Sequence, residues 1–107
     1  MMILLLALAA VSSAPYTCTQ TTTNDLVGCA FGKFKKADAA LNAQWKSMER
    51  PAKVLRAQRA WLAYRDAECE AQNFASPDGS LYPVFKYLCL AELTDQRVKQ
   101  LNQTADR

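Results

Sequence analysis

The sequence predicts an all-α protein, a small antiparallel bundle of three main helices linked by disulfides. Three observations lead there. Apolar residues recur at three- and four-residue spacing along most of the chain, which is the signature of amphipathic helices. That pattern is interrupted at Pro51 and again at Ser76, Pro77, Asp78 and Gly79, residues that end helices and form turns. No stretch alternates apolar with polar residues as a half-buried strand would. The chain has 107 residues, half of them apolar, and no internal repeat, so one domain accounts for it.

The opening run, MMILLLALAAVS, is apolar, uncharged and too short to span a bilayer, and small residues follow it. It reads as a signal peptide over residues 1–13, leaving a helical domain over 14–107 and no stable membrane insertion after cleavage. Export then places the product in the periplasm or the medium. After a threonine-rich lead, Leu26, Ala30, Phe34, Ala37, Leu41, Trp45 and Met48 define the first helix. Thr22 and Asp25 have the spacing of a capping pair, while Gly28 and Gly32 weaken the first two turns enough to suggest a separate short turn there. Pro51 ends this helix and suits the first turn of the next. The second helix, from about Pro51 to Asn73, carries apolar residues on more than one side and is expected to be the central one. Ser80 is placed to cap a third helix whose first turn tolerates Pro83, with Leu81, Phe85, Leu88, Cys89, Leu93 and Leu101 as its apolar content. Thr94 and Asp95 leave open a break near its end.

Within the second helix, Gln58, Leu62, Arg65 and Cys69 share one stripe, so polar groups must face a helix interface. Burial of such groups requires partners. Arg65 and Asp66, as sequence neighbours, do not share a helix face, and their partners are expected on other helices. Folding the chain about Arg50 sets Asn42 across from Gln58 and Asp38 within reach of Arg59 or Arg65. Folding it about Asp78 and Gly79 sets Cys69 across from Cys89. An even cysteine count behind an export signal indicates two structural bridges, since the close C-x-x-C pairs of a metal site are absent. The preferred pairing is Cys69–Cys89 with Cys18–Cys29; Cys29–Cys69 with Cys18–Cys89 also fits the first hairpin.

Several blocks share a pattern: D-A-A-L-N from Asp38, Q-R-A-W-L-A-Y-R-D-A-E-C from Gln58, Gly79–Ser80, and C-L-A-E-L-T-D-Q-R from Cys89. In order and spacing they resemble the LprI-type lysozyme-inhibitor N-terminal domain family, over nearly the whole mature chain. The resemblance implies an exported, disulfide-linked helical domain, and inhibition of lysozyme is associated with some members. On the residues themselves, Asp38, Asn42, Gln58, Arg59, Arg65, Asp66, Thr94 and Arg97 are read as a structural polar layer that sets helix register.

Catalysis is disfavoured. The chain has no His, its cysteines are expected to be oxidised, and no serine sits in a nucleophile-elbow sequence. Asp66, Glu68 and Glu70 read as surface acids rather than a catalytic pair, and no carboxylates have metal-loop spacing, so neither metal nor organic cofactor is expected. A net charge of +3, with Lys33, Lys35 and Lys36 as the dense cluster, gives no nucleic-acid surface. The exposed turn with Pro77, Asp78, Gly79, Ser80 and Tyr82 is the candidate binding loop. The resulting expectation is a small exported binding protein that inhibits lysozyme-type muramidases; the alternative is an envelope interaction module with another protein partner and no inhibitory activity. Animal-type lysozymes are basic, so the net charge counts against that partner.

Overall fold

A computed structural model describes residues 18–19 and 22–106; the expected signal peptide lies outside them. Three helices make up the fold: α1 (Thr23–Ser47), α2 (Ala52–Gln72) and α3 (Tyr82–Ala105), with no strand among the described residues. Helix α1 is continuous through Gly28 and Gly32. A side chain at either glycine would meet nothing within 4 Å, so both lie on an open face where lost packing costs nothing. Thr22 is the N-cap, its Oγ1 accepting the Asp25 N–H at 3.2 Å. Pro51 sits at the N-cap of α2 in extended backbone, where its missing N–H leaves no gap in the helix.

Helix α3 begins one residue later than Ser80 implied. Leu81 occupies its N-cap without a side-chain cap, and Pro83 falls in the first turn. The Ser76–Leu81 segment instead closes on itself, Gly79 N–H donating to the Ser76 carbonyl at 2.8 Å and Tyr82 N–H to the Gly79 carbonyl at 3.3 Å. This turn consumes the residues that would have started the helix earlier. A Cβ on Gly79 would lie 3.2 Å from the Ser76 carbonyl oxygen, which explains the glycine. No break occurs at Thr94; its hydroxyl is fully buried inside one helix.

Helices α1 and α3 run in the same direction. Near their starts the Phe31 and Tyr87 rings meet edge to face at 5.0 Å, and near their ends Leu41, Met48 and Leu101 form the core. Trp45, Val54, Trp61 and Val98 pack around that cluster. Helix α2 runs opposite to both, with Val54 beside the far ends and Cys69 bonded to Cys89 near the start of α3. The central helix is α3, not α2. Only Gln58 and Cys69 of α2 are buried, against Val84, Leu90, Ala91, Thr94 and Leu101 of α3. Apolar residues on several sides of α2 suggested a central position, yet many of them are alanines and leucines that remain exposed. Removing a side chain such as Leu101, only 1% exposed, would cost roughly 2–5 kcal/mol, so the α1–α3 seam carries the apolar stability.

Both bridges follow the preferred pairing, Cys18–Cys29 with Cα atoms 6.0 Å apart and Cys69–Cys89 with Cα atoms 5.6 Å apart. Alkylation before reduction should label no cysteine, and after reduction all four. Peptide mapping should recover Cys69 joined to Cys89, and replacing that pair by alanines should cost about 3 kcal/mol in denaturant unfolding. A crossed pairing would contradict the arrangement of the helices.

Candidate functional site

Helix α2 packs Val54 and Trp61 against the edge of the core and is otherwise attached through directed contacts. Arg65 points inward between the other helices, its side chain 11% exposed. Its guanidinium lies 5.6 Å from the Phe34 ring centroid on α1 and 5.4 Å from that of Trp61, and its Nη1 donates to Thr94 Oγ1 on α3 at 3.3 Å. Arg97 of α3 approaches Trp61 at 5.6 Å, and its Nε donates to Gln58 Oε1 at 2.8 Å. Phe34 stacks on Tyr87 at 6.0 Å, so aromatic rings and guanidiniums alternate across all three helices. Partial burial pulls the Arg97 pKa below the ordinary guanidinium value.

The structure therefore joins Gln58, Arg65, Thr94 and Arg97, with Asp66 attached through Arg65, but not Asp38, Asn42 or Arg59. Arg65 does pair with its neighbour Asp66, Nη2 to Oδ1 at 2.9 Å, against the expectation that both would look to other helices. Adjacent Cα–Cβ vectors diverge on a helix, yet the long arginine arm bends back to reach a carboxylate that stays 64% exposed. Asp38, Asn42 and Arg59 line a groove of about 260 Å³ between α1 and α2, together with Leu41, Trp45, Leu55, Gln58 and Leu62. Asn42 does face the Gln58 side, but without a hydrogen bond. Asp38 reaches neither Arg59 nor Arg65 as an ion pair among the described residues. The two helices splay here, and charges on opposite walls stay apart.

The expected binding loop is held firmly. Asn73 Nδ2 donates to the Tyr82 carbonyl at 3.0 Å, its Oδ1 accepts the Ala75 N–H at 3.1 Å, and Phe74, 85% exposed, leans on Phe85 at 5.0 Å. Pro77, Asp78 and Ser80 are exposed at the tip, and Gly79 is half-buried. Tyr82 is half-buried and its side chain reaches back to α2. Its phenol donates to Glu70 Oε1, and that bond, with burial and the Glu70 charge, raises its pKa above the ordinary tyrosine value.

Charge is segregated along α2 in a way that net charge conceals. Between Asp66 and Phe85 the chain carries Asp66, Glu68, Glu70 and Asp78 and no base, whereas between Lys46 and Arg59 it carries five bases and one acid. The signal was present in local charge counts. Glu70 is exposed, as expected of a surface acid, and it also accepts from Tyr82 beside the candidate loop, while Glu68 accepts from Gln72 of its own helix.

Two outcomes follow. Arg65→Ala should lower stability by about 2–3 kcal/mol and Arg65→Lys should not fully restore it, while Asp66→Ala should change stability by no more than about 1 kcal/mol, all read by denaturant unfolding. Equal losses for both alanine variants would place the stabilisation in the ion pair instead. For Tyr82, a folded pKa above the unfolded value means the contact with Glu70 stabilises below the ordinary phenol range and is lost as pH rises through the raised value. Ultraviolet titration should show that Glu70→Gln returns the late-titrating Tyr82 phenol toward about 10.

Comparison with known proteins matches the family described as lysozyme inhibitor LprI to residues 17–101. A protein of Rhizobium meliloti (strain 1021), described as uncharacterized, is similar at 35% identity over 98 residues, covering 74% of this chain and 70% of that protein. No solved structure matches. Among the described residues no helix is long and apolar enough to cross a membrane. By a match spanning most of its length, this chain belongs to the LprI lysozyme-inhibitor family.

Proposed function

We propose that this protein is an exported inhibitor of a lysozyme-type muramidase, acting by binding alone in the periplasm or outside the cell after removal of residues 1–13. Family membership over residues 17–101 is the observation that carries the reading. Two disulfides accord with an oxidising compartment. The docking end in this reading is the α2–α3 turn, where Pro77, Asp78 and Ser80 are exposed on a scaffold braced by Cys69–Cys89 and by the Asn73 hydrogen bonds. A braced turn loses little conformational freedom on entering a cleft.

Local charge answers the objection raised by a net charge of +3. Steering depends on the face presented, and the stretch from Asp66 to Phe85, which includes this turn, carries four acids and no base. A basic muramidase would meet that end first. The second reading, an envelope module with a different protein partner, draws on the rest of the surface, which is basic.

Inhibition assays with lysozymes of several types should show a stoichiometric inhibitor of at least one. Replacing Asp78 by Asn and Glu68 by Gln should slow association several-fold in low salt and less at about 150 mM salt. Lack of inhibition and of complex formation across the panel would leave the envelope module as the better account.

A further inference from the structure

We propose that the opposite end of the bundle, the α1–α2 turn with the first half of α2, is a peripheral docking surface for anionic phospholipid. Lys46, Arg50, Lys53, Arg56 and Arg59 are all exposed there, with Glu49 as the single acid in that stretch. None of the five forms an ion pair among the described residues; Arg50 rests over the Trp45 ring at 5.7 Å. In this chain an arginine that serves the fold is inward-facing and partnered, as Arg65 and Arg97 are. The five at this end are exposed and without an ion-pair partner among the described residues, and Arg50 alone of them has a ring contact.

A second, independent feature selects a lipid surface over a soluble polyanion. Leu55 and Leu62, each 37% exposed, share the helical stripe of Arg59 at the mouth of the α1–α2 groove, and Ala52, Ala57, Ala60 and Ala63 are exposed on α2 as well. Cations beside exposed leucines suit an interface where phosphates overlie hydrocarbon. A soluble polymer would use the cations and leave the leucines in water. Toward the other end of α2, Asp66 is paired with Arg65 and Glu70 accepts from Tyr82, so the acids of that helix lie away from the basic end. This is adsorption to a surface, not insertion.

The inference does not rest on muramidase binding, and its test is separate. Intact protein is sedimented with phosphatidylcholine vesicles, with or without about one-third phosphatidylglycerol, in low salt and at about 150 mM salt. Binding is expected only to anionic vesicles, weaker at the higher salt, and reduced about fivefold for each of Lys53→Gln, Arg56→Gln and Arg59→Gln, with roughly multiplicative loss in the triple variant. These side chains are exposed, so circular dichroism should show the fold unchanged. Asp78→Asn with Glu68→Gln should leave vesicle binding undiminished. The proposal is overturned by equal binding to neutral and anionic vesicles, by no binding to either, by indifference to the three substitutions, or by capture of soluble polyphosphate without capture of vesicles.

Discussion

The attachment of α2 depends on one side chain more than any other, the inward-facing guanidinium of Arg65. Helices α1 and α3 share an apolar seam and would hold each other by burial alone. Helix α2 buries only Gln58 and Cys69, too little for the same mechanism. Arg65 supplies what burial does not: it touches Phe34 of α1, Thr94 of α3 and Trp61 of its own helix at once. Its charge stays compatible with that position because its aliphatic arm is covered while Asp66, near solvent, balances the head. Lysine could supply the charge but not a flat group that lies on rings and donates sideways.

Directed contacts also fix register in a way that an apolar stripe does not. An alanine-rich helix can slide by a turn on a greasy neighbour at modest cost, but a slide here would separate Arg65 from Thr94 and Arg97 from Gln58 together. The Cys69–Cys89 bridge ties one end, and the Pro51 turn ties the other. The groove between α1 and α2 is a consequence of this design. Helix α2 rests on α3 through Gln58 and Arg97, and it leans away from α1 where Asp38, Asn42 and Arg59 would otherwise be pressed together.

Much of this was legible in the sequence, and the failures have physical causes. Helix ends were readable because Thr22, Pro51 and the Ser76–Gly79 cluster act locally, through caps and turn geometry. The disulfides were readable because a tight hairpin about Asp78 brings Cys69 opposite Cys89 whatever the rest of the chain does. The place of α2 in the bundle was not, since apolar periodicity tells that a helix has a buried side but not how much its neighbours cover. Leu55 and Leu62 look like core residues in sequence and end at the edge of the groove. The Arg65–Asp66 pair was missed because helix geometry speaks of Cβ directions, and a long side chain can reach beyond its own.

The same rigid attachment gives the segregated charges their meaning. Opposed patches on a mobile helix would average into a weak dipole, whereas a helix fixed in register holds its acidic end beside the α2–α3 turn and its basic end beside the α1–α2 turn. The end with the α2–α3 turn is then mainly acidic, with Lys86 beside Asp66 and Glu70, and the end with the α1–α2 turn mainly basic, with Glu49 among its cations. Net charge is the wrong quantity for such a molecule. A partner approaching the Asp78 end meets a mainly acidic surface, and one approaching the Arg56 end a mainly basic one. Arg65 stands between these ends and belongs to neither surface. Its loss would be felt at both, because it is the contact that keeps α2 in register with the two helices beneath it.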